Sequence, residues 1–129
     1  MAKLTQKKVN ERAFNKYIRL RDVDSTGYGY CITCGKQLHY KEANAGHFKH
    51  GLHFIEDNQH LQCVGCNLHH SGKLDLYATK MIDMYGRERV EELEREKHKV
   101  HKYSQSELRE LLDYYKWAVE YLKQTKGLQ

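Results

Sequence analysis

The chain of 129 residues contains no proline and no long apolar run. Without proline, the helix boundaries must be set by capping residues and glycines. No window approaches the roughly 18 to 20 apolar residues that a membrane-spanning helix needs, so we expect no membrane partner. The first eight residues carry charge but precede no apolar stretch. We therefore expect no signal peptide and a cytoplasmic location.

Cysteine is also scarce, and its four residues form two close pairs: Cys31, Cys34, Cys63 and Cys66. A reducing cytoplasm disfavours disulfides, and two C-x-x-C pairs separated by 28 residues can supply four thiolates to one tetrahedral metal ion. A redox-active C-x-x-C would need one pair in a thioredoxin-like context, which is missing here. We predict a zinc ion held by all four cysteines. Because such a site has no open coordination position, this zinc is expected to be structural.

Positive charge is concentrated in the first half of the chain. Residues 1–66 contain 10 Lys and Arg against 6 Asp and Glu, whereas residues 67–129 contain 12 against 11. A positive patch attracts the phosphate backbone of nucleic acids, although mild basicity also serves solubility alone. Helical periodicity predicts an N-terminal helix over residues 7–22 with four cations on one face. This face is either a DNA-binding surface or simply exposed to solvent. Its four cations are Lys8, Arg12, Lys16 and Arg19.

The remaining elements indicate an α+β fold. Residues 36–63 lack a long helical period and are typical of short strands and loops, including residues 47–49 and 60–62. Helical periodicity returns after Cys66 and stops first at Gly86. A capping box, Ser104-Gln105-Ser106-Glu107, then precedes a strongly amphipathic run.

Histidine is unusually frequent near the cysteines, since seven of the nine histidines lie between residues 39 and 70. In chain order the segment offers Ala45-Gly46-His47, then Asp57-Asn58-Gln59-His60, then Cys66-Asn67. A lone histidine is more often a surface or core residue than a functional one. We therefore assign no role to five of them: His39, His50, His53, His98 and His101.

These motifs together resemble a known family. The C-x-x-C-G, A-G-H-F and N-x-H-x-Q-C-x-x-C-N motifs and Ser71-Gly72 resemble HNH endonucleases with the ββα-metal fold. More narrowly, the chain resembles the lambdoid phage recombination nucleases called NinG or Rap, from residues 14–19 through the helical tail. The resemblance implies one domain over residues 1–129, with a zinc-stapled ββα-metal core at 31–72, the N-terminal helix and a helical extension at 73–129.

The resemblance also implies roles for individual residues. His47 matches the general base, and Asn58 matches the residue that orients its imidazole. Asn67 matches a ligand of a catalytic Mg²⁺ or Mn²⁺ ion. HNH enzymes usually supply a second ligand from the residue before the base, which here is Gly46. We favour His60 as the replacement, because strand alternation would put it on the same face as Asn58 if one strand holds both.

Other candidates for the second ligand stay open: His69, His70, Asn44 and Asp57. His69 and His70 are also predicted to contact DNA. The implied activity is metal-dependent hydrolysis of DNA phosphodiesters in branched recombination intermediates, such as Holliday junctions and D-loops, by a phage or prophage protein in a bacterial host. A homodimer through the C-terminal helices would supply two active sites. The alternatives are a non-catalytic zinc module that binds DNA or protein, and a sequence-specific HNH nuclease.

Overall fold

A computed structural model describes residues 4–99 and 101–129 and contains four α-helices and two small antiparallel sheets in those ranges. The predicted α+β class is confirmed. The elements follow one another as α1 (Gln6–Arg21), β1 (Tyr28–Tyr30), β2 (Gln37–His39), β3 (Asn44–His47), β4 (Gln59–Gln62), α2 (Leu74–Tyr85), α3 (Arg87–Glu96) and α4 (Gln105–Lys126).

Helix α1 begins one residue earlier than its predicted start and ends one residue earlier. Thr5 caps its N-terminus, because the Thr5 hydroxyl accepts a hydrogen bond from the Lys8 backbone N–H. The helix buries Phe14, Ile18 and Leu20 against the rest of the protein.

The β3–β4 ladder positions the predicted histidines. Gly46 pairs with His60, and His47 pairs with Gln59. Since cross-strand partners project from the same face of a sheet, Gly46 and His60 share one face while His47 and Gln59 share the other. Helix α1 covers the His47 face, where Gln59 Nε2 donates to Asn15 Oδ1 at 2.8 Å. Helix α2 covers the His60 face.

The chain after the second cysteine pair differs from the prediction. Gly65–His69 form a short π-type turn, and Ser71–Lys73 follow as a left-handed turn with φ values of 51°, 80° and 48°. Asn67 therefore lies inside a five-residue turn and does not begin a long helix. The long helix, α2, starts only at Leu74 and stops at Gly86, as predicted.

Helix α4 packs lengthwise against α1. Its capping box is confirmed, because Ser104 and Glu107 exchange the two reciprocal hydrogen bonds. Near the N-terminal ends, Asn10 Nδ2 donates to the Leu108 carbonyl at 2.6 Å. At the other end, Lys126 Nζ donates to carbonyls that include that of Leu20, at 2.7 Å. The two helices therefore run parallel, side by side.

The core lies between these elements. Val119 of α4 and Leu20 of α1 join Leu61 of β4 and two of the cysteines in one apolar cluster. A second cluster joins α2 and α3 to the loop after β3 through Phe48, Tyr77, Met81 and Leu93. Between residues 4 and 129, Val100 apart, no helix is long and apolar enough to cross a bilayer.

Candidate functional site

The four cysteines converge on one point, as their spacing predicted. Their sulfur atoms all lie within 4.8 Å of one another, and the Cys34 and Cys63 sulfurs are 3.8 Å apart. A tetrahedral zinc ion with Zn–S bonds of about 2.3 Å would separate its sulfurs by about 3.8 Å. The chain thus holds a four-cysteine site with the donors and spacing of a structural zinc site.

Backbone N–H groups support the sulfurs. The Cys34 N–H points to Cys31 Sγ at 3.5 Å, and the Cys66 N–H points to Cys63 Sγ at 3.4 Å. Each C-x-x-C pair therefore closes a tight turn whose amides face a sulfur. Such hydrogen bonds stabilise thiolates and orient them toward a cation. Cys31 and Cys66 are buried, and both belong to the apolar core that contains Leu61.

His47 ends β3 and faces a depression of about 210 Å³ between α1 and the loop after β3. Its ring centroid is 5.9 Å from that of His50 and 6.2 Å from that of His53. His53 Nδ1 in turn lies 3.3 Å from a carboxylate oxygen of Glu11 on α1. The walls of this depression, which we call the His47 pocket, are formed by Lys8, Glu11, Phe14, Asn15, His47, His53, Phe54 and Gln59.

The His47 imidazole is neutral at pH 7. Burial, with smaller contributions from the nearby His50 and His53 rings, lowers the pKa of His47 to about 4. A neutral ring has a free lone pair, so it can accept a proton without first losing one. This is the protonation state that a general base requires.

Asn58 is fully buried and acts on the loop that follows His47. Its side-chain oxygen accepts from the Lys49 N–H at 2.9 Å, and its amide nitrogen donates to the Lys49 carbonyl at 3.0 Å. The Asn58 carbonyl also accepts from the Phe48 N–H at 2.8 Å. Asn58 thereby fixes the backbone just after His47. Its side chain bonds to this backbone, whereas the family resemblance implies that the Asn58 side chain, or a backbone group beside it, orients the imidazole.

His60 lies behind the sheet, on the face opposite His47. The predicted shared face with Asn58 is wrong, because β4 starts at Gln59 and Asn58 belongs to a preceding 3-10 turn. Both ring nitrogens of His60 are occupied: Nδ1 is 3.1 Å from the Tyr77 hydroxyl and Nε2 is 2.6 Å from that of Tyr85. In this position His60 cannot join His47 around a cation.

Gly46 is required by close packing on the same hidden face. A Cβ atom at this position would lie 1.9 Å from Gln62 Oε1. The Gln62 side chain is fully buried, and its amide nitrogen donates to the Thr33 hydroxyl at 3.1 Å and to the Gly72 carbonyl at 2.9 Å. Gln62 therefore fills the space that a metal-binding side chain at position 46 would need.

The last predicted residues lie away from the His47 pocket. Asn67 is partly buried in the turn beside the second cysteine pair, and its N–H donates to the Cys63 carbonyl. His69 and His70 are exposed just after it, and His70 lines a separate surface depression together with Lys73. None of the three lines the His47 pocket.

The cations of α1 form a groove that adjoins the His47 pocket. Three of the four predicted residues, Arg12, Lys16 and Arg19, line a depression between α1 and the segment before and within β3. Asn15 lines both this groove and the His47 pocket, so the two share a wall. Lys8, the fourth cation, lies on the His47 pocket itself. We call the depression with Arg12 the cationic groove.

The cations of α1 differ in their exposure and in their neighbours. Arg12 is exposed, whereas Arg19 is partly buried and donates to the Tyr40 carbonyl at 3.0 Å. The adjacent Lys123 side chain, through the repulsion between the two positive charges, lowers the pKa of Lys16, and partial burial lowers it further. A phosphate oxygen between these two ammonium groups would relieve the repulsion.

Sequence reasoning missed several residues of the His47 pocket. Glu11 and Asn15 are one helical turn apart on α1, and this spacing alone could have linked them to the cations on the same helix. Their position beside His47 depends on the docking of α1 on the sheet, which no local pattern reveals. His53 was assigned no role, yet it lies between Glu11 and His47.

Comparison with known proteins gives a consistent result. The family model described as “Bacteriophage Lambda NinG protein” matches residues 2–125. The Protein ninG of Escherichia phage 933W is 35% identical over 122 residues, which cover 91% of this chain and 58% of that protein. The Protein ninG of Escherichia phage lambda and that of Salmonella phage P22 are each 34% identical over 122 residues, covering 91% of this chain and 57% of theirs.

The chain thus spans somewhat more than half the length of these curated relatives. No solved structure matches it significantly. The assignment rests on sequence, and the match to the family model extends over the cysteine pairs, the His47 segment and α4 alike. Because that match covers residues 2–125 of the 129, the chain belongs to the NinG family of bacteriophage proteins.

Proposed function

We propose that this chain is a metal-dependent DNA endonuclease of the HNH type that cuts branched recombination intermediates, such as Holliday junctions and D-loops, for a phage or prophage in a bacterial host. The observation that carries the proposal is the neutral His47 imidazole in a pocket that adjoins the cationic groove. The order of β3, β4 and the cysteine-anchored turn after them supports an HNH core.

In this proposal His47 takes a proton from the water that attacks the phosphorus atom. The approach of a phosphodiester anion raises the pKa of His47 from about 4, because the negative charge stabilises the imidazolium. The ring then becomes a stronger base in the complex than in the free protein. Through its hydrogen bonds to Lys49, Asn58 keeps the backbone just after His47 in place during this step.

A divalent cation, Mg²⁺ or Mn²⁺, would polarise the scissile phosphate and stabilise the leaving oxygen. In residues 4–99 and 101–129, the four cysteines form the one group of three or more His, Cys, Asp or Glu side chains close enough to share an ion. Asn67, the ligand that the family resemblance implies, lies outside the His47 pocket and would therefore supply only part of the shell. Mg²⁺ is commonly bound in this way, with water and substrate phosphate completing its coordination.

The cationic groove would guide the DNA backbone to His47. In this proposal Lys8, Arg12 and Lys16 would contact phosphates along α1. His69 and His70 would contact the DNA from a separate part of the surface. Phosphate contacts recognise the path of the backbone and not its sequence. A groove of this kind therefore favours selection of a branched shape over a base sequence.

The test is cleavage of a labelled four-way junction and its matching linear duplex, with Mg²⁺ or Mn²⁺, by zinc-loaded protein. Replacing His47 by alanine should abolish cleavage of the junction while leaving its binding intact. His98→Ala is the matched control, because His98 is exposed and outside the His47 pocket. It should cut as the wild type does.

Other outcomes favour the alternatives. Tight binding without cleavage by the wild type would replace the nuclease with a non-catalytic zinc module. Cleavage of one linear sequence in preference to the junction would indicate a sequence-specific HNH nuclease. Equal cleavage by the wild type and His47→Ala would refute the role of His47.

The outer face of α4 supports the proposed homodimer. Tyr114, Trp117 and Tyr121 are 50%, 58% and 52% exposed, and the Trp117 and Tyr121 rings stack at 5.2 Å. Glu120 and Asp113, both exposed, flank this stripe.

The stripe is complementary to itself. In an antiparallel two-fold pair of α4 helices centred on Trp117, Tyr114 would face Glu120 of the partner subunit. Tyr121 would face Asp113 of the partner subunit in the same way. Each tyrosine hydroxyl would then donate to a carboxylate, and the two-fold axis would repeat both pairs.

Analytical ultracentrifugation across a concentration series tests this arrangement. The wild type should dimerise and Trp117→Ala should remain monomeric, whereas Lys116→Ala, beside the stripe on the same helix, should dimerise normally. A wild-type chain that stays monomeric at every concentration would refute the dimer.

A further inference from the structure

A chain of hydrogen bonds crosses the core behind His47. The Tyr85 hydroxyl oxygen lies 2.6 Å from His60 Nε2, and the Tyr77 hydroxyl oxygen lies 3.1 Å from His60 Nδ1. Tyr77 also donates to the Gly46 carbonyl at 2.8 Å. Gly46 directly precedes His47, so the chain of hydrogen bonds ends on the peptide that carries the proposed base.

The direction of each proton in this chain follows from elementary bonding. A carbonyl oxygen only accepts, so the single hydroxyl proton of Tyr77 lies on its bond to Gly46. The Tyr77 oxygen must then accept from His60 Nδ1–H. A neutral imidazole has one N–H, which leaves Nε2 as an acceptor for the Tyr85 hydroxyl. The donors therefore all point inward, from Tyr85 at the surface toward Gly46.

The surroundings of the chain favour this neutral arrangement. Tyr77 is fully buried and His60 is 2% exposed, whereas Tyr85 reaches the surface. Burial lowers the pKa of His60 to about 4, so its ring is uncharged at pH 7. An imidazolium would have two N–H groups, and the Tyr85 hydroxyl would have to turn around to accept from Nε2.

Gly46 has a particular need for such an anchor. It has no side chain that could pack, and it lies one residue before the end of β3, where the ladder gives way to the loop that starts at Phe48. The Tyr77 hydroxyl binds its carbonyl from the side opposite the His47 pocket. Any rotation of the Gly46–His47 peptide would break this bond and move the His47 ring at the same time.

We propose that His60 and Tyr77 are positioning residues for His47: His60, held as the neutral Nδ1–H tautomer, orients Tyr77, and Tyr77 fixes the peptide that sets the place of the His47 ring. This inference rests on the proposed function, in which His47 is the general base. It gives His60 a role quite different from that of a metal ligand.

The first test is the tautomer of His60. Nitrogen-15 NMR of histidine-labelled, zinc-loaded protein at pH 7 should show a protonated Nδ1 and an unprotonated Nε2 for His60. The signal is assigned by its loss in His60→Asn. This variant keeps a side-chain N–H donor toward Tyr77. The opposite tautomer, or a charged ring, would overturn the proposal.

The second test removes the last link with Tyr77→Phe. The kcat for junction cleavage should fall by about tenfold to a hundredfold, because small displacements of a catalytic group have effects of this size, while KM stays near that of the wild type. Tyr40→Phe is the matched control: Tyr40 is also buried, and its hydroxyl donates to the Gln129 carbonyl at 2.8 Å. It should retain the wild-type kcat.

A third measurement needs no cleavage. The ring resonances of His47 should shift in Tyr77→Phe and stay in place in Tyr40→Phe, provided that thermal melting shows both variants folded. Unchanged His47 resonances in a folded Tyr77→Phe would overturn the positioning role. If the wild type cuts no DNA, the proposed function fails, and the tautomer and the resonances still decide whether the chain positions His47.

His60 itself provides a second set of variants if Tyr77→Phe does not fold. His60→Asn should keep more cleavage activity than His60→Leu, because only asparagine can still donate to Tyr77. Equal kcat values for these two variants would overturn the proposal.

Discussion

The packing of Gly46 against Gln62 gives the sharpest test of the structure. In Gly46→Ala the new methyl carbon would lie 1.9 Å from Gln62 Oε1 and 3.1 Å from Gln62 Cβ. Position 46 lies in a β-strand and lacks a positive φ, so alanine suits the backbone and the conflict is purely steric. The Gln62 amide must turn away, and it then loses its bonds to Thr33 and Gly72.

The expected loss of stability in Gly46→Ala follows from those two hydrogen bonds. A buried hydrogen bond contributes about 1 kcal/mol net, and a buried partner left unpaired costs about 1 to 3 kcal/mol, so Gly46→Ala should destabilise by about 2 to 4 kcal/mol. In a Gln62→Ala background the clash with the Gln62 side chain is absent. There Gly46→Ala should lower the free energy of unfolding by less than about 1 kcal/mol.

Urea unfolding of zinc-loaded protein, followed by circular dichroism, measures the free energy of unfolding of the four proteins in this double-mutant cycle: the wild type, Gly46→Ala, Gln62→Ala and the double variant. The coupling energy between positions 46 and 62 should be about 2 kcal/mol. If Gly46→Ala costs the same with and without Gln62, the reasoning about this contact is refuted, and the absence of an acidic residue before His47 needs another explanation.

Three more changes test the fold. Replacing Cys63 by serine, or removing the metal with a chelator, should abolish cooperative unfolding. The reason is that an apparent free energy of zinc binding of about 10 to 16 kcal/mol is as large as the whole stability of a small domain. A chelated protein with an unchanged near-UV circular dichroism spectrum would contradict this. Burial lowers the pKa of His60 from its usual value to about 4. The unfolded state therefore binds this proton first as the pH falls, and His60 alone should lower the free energy of unfolding by about 2 kcal/mol between neutral pH and pH 5, in addition to the contribution of His47. The His60→Asn variant should lose that part of the pH dependence; an unaltered profile in urea titrations would refute it. Asn10→Ala should lower the free energy of unfolding by about 1 kcal/mol, because the buried hydrogen bond from Asn10 to the Leu108 carbonyl is lost. Gln124→Ala, at an exposed position of α4, should unfold at the wild-type urea concentration.

Local patterns predicted the features that depend on neighbouring residues. The C-x-x-C spacing predicted the four-cysteine site, and the capping box at Ser104 predicted the start of α4. Gly86 likewise predicted the end of α2. The capping box and Gly86 act within one helix, and each C-x-x-C pair closes within one turn. The two pairs are far apart in the sequence, but the need of one tetrahedral ion for four ligands links them.

Features that depend on distant partners were not accessible in this way. The face of His60 is set by the register of β4 against β3, because one residue of register moves a side chain to the opposite face. Whether Asn58 shares that face depends on whether β4 begins at residue 58 or 59. Its partners Tyr77 and Tyr85 lie 17 and 25 residues farther along the chain. Glu11 reaches the His47 pocket only through the docking of α1 on the sheet.

The parallel packing of α1 and α4 has a consequence for synthesis on the ribosome. Residues 6–21 leave the ribosome well before residues 105–126, the helix that covers their apolar face. At about 5 to 20 residues per second, on the order of ten seconds separate the two helices. The cysteine pairs and both sheets can assemble in that interval, while Phe14 and Ile18 still await Tyr115 of α4. Burial of the apolar face of α1 therefore waits for the synthesis of α4, and a polypeptide truncated before residue 105 would leave Phe14 and Ile18 without Tyr115.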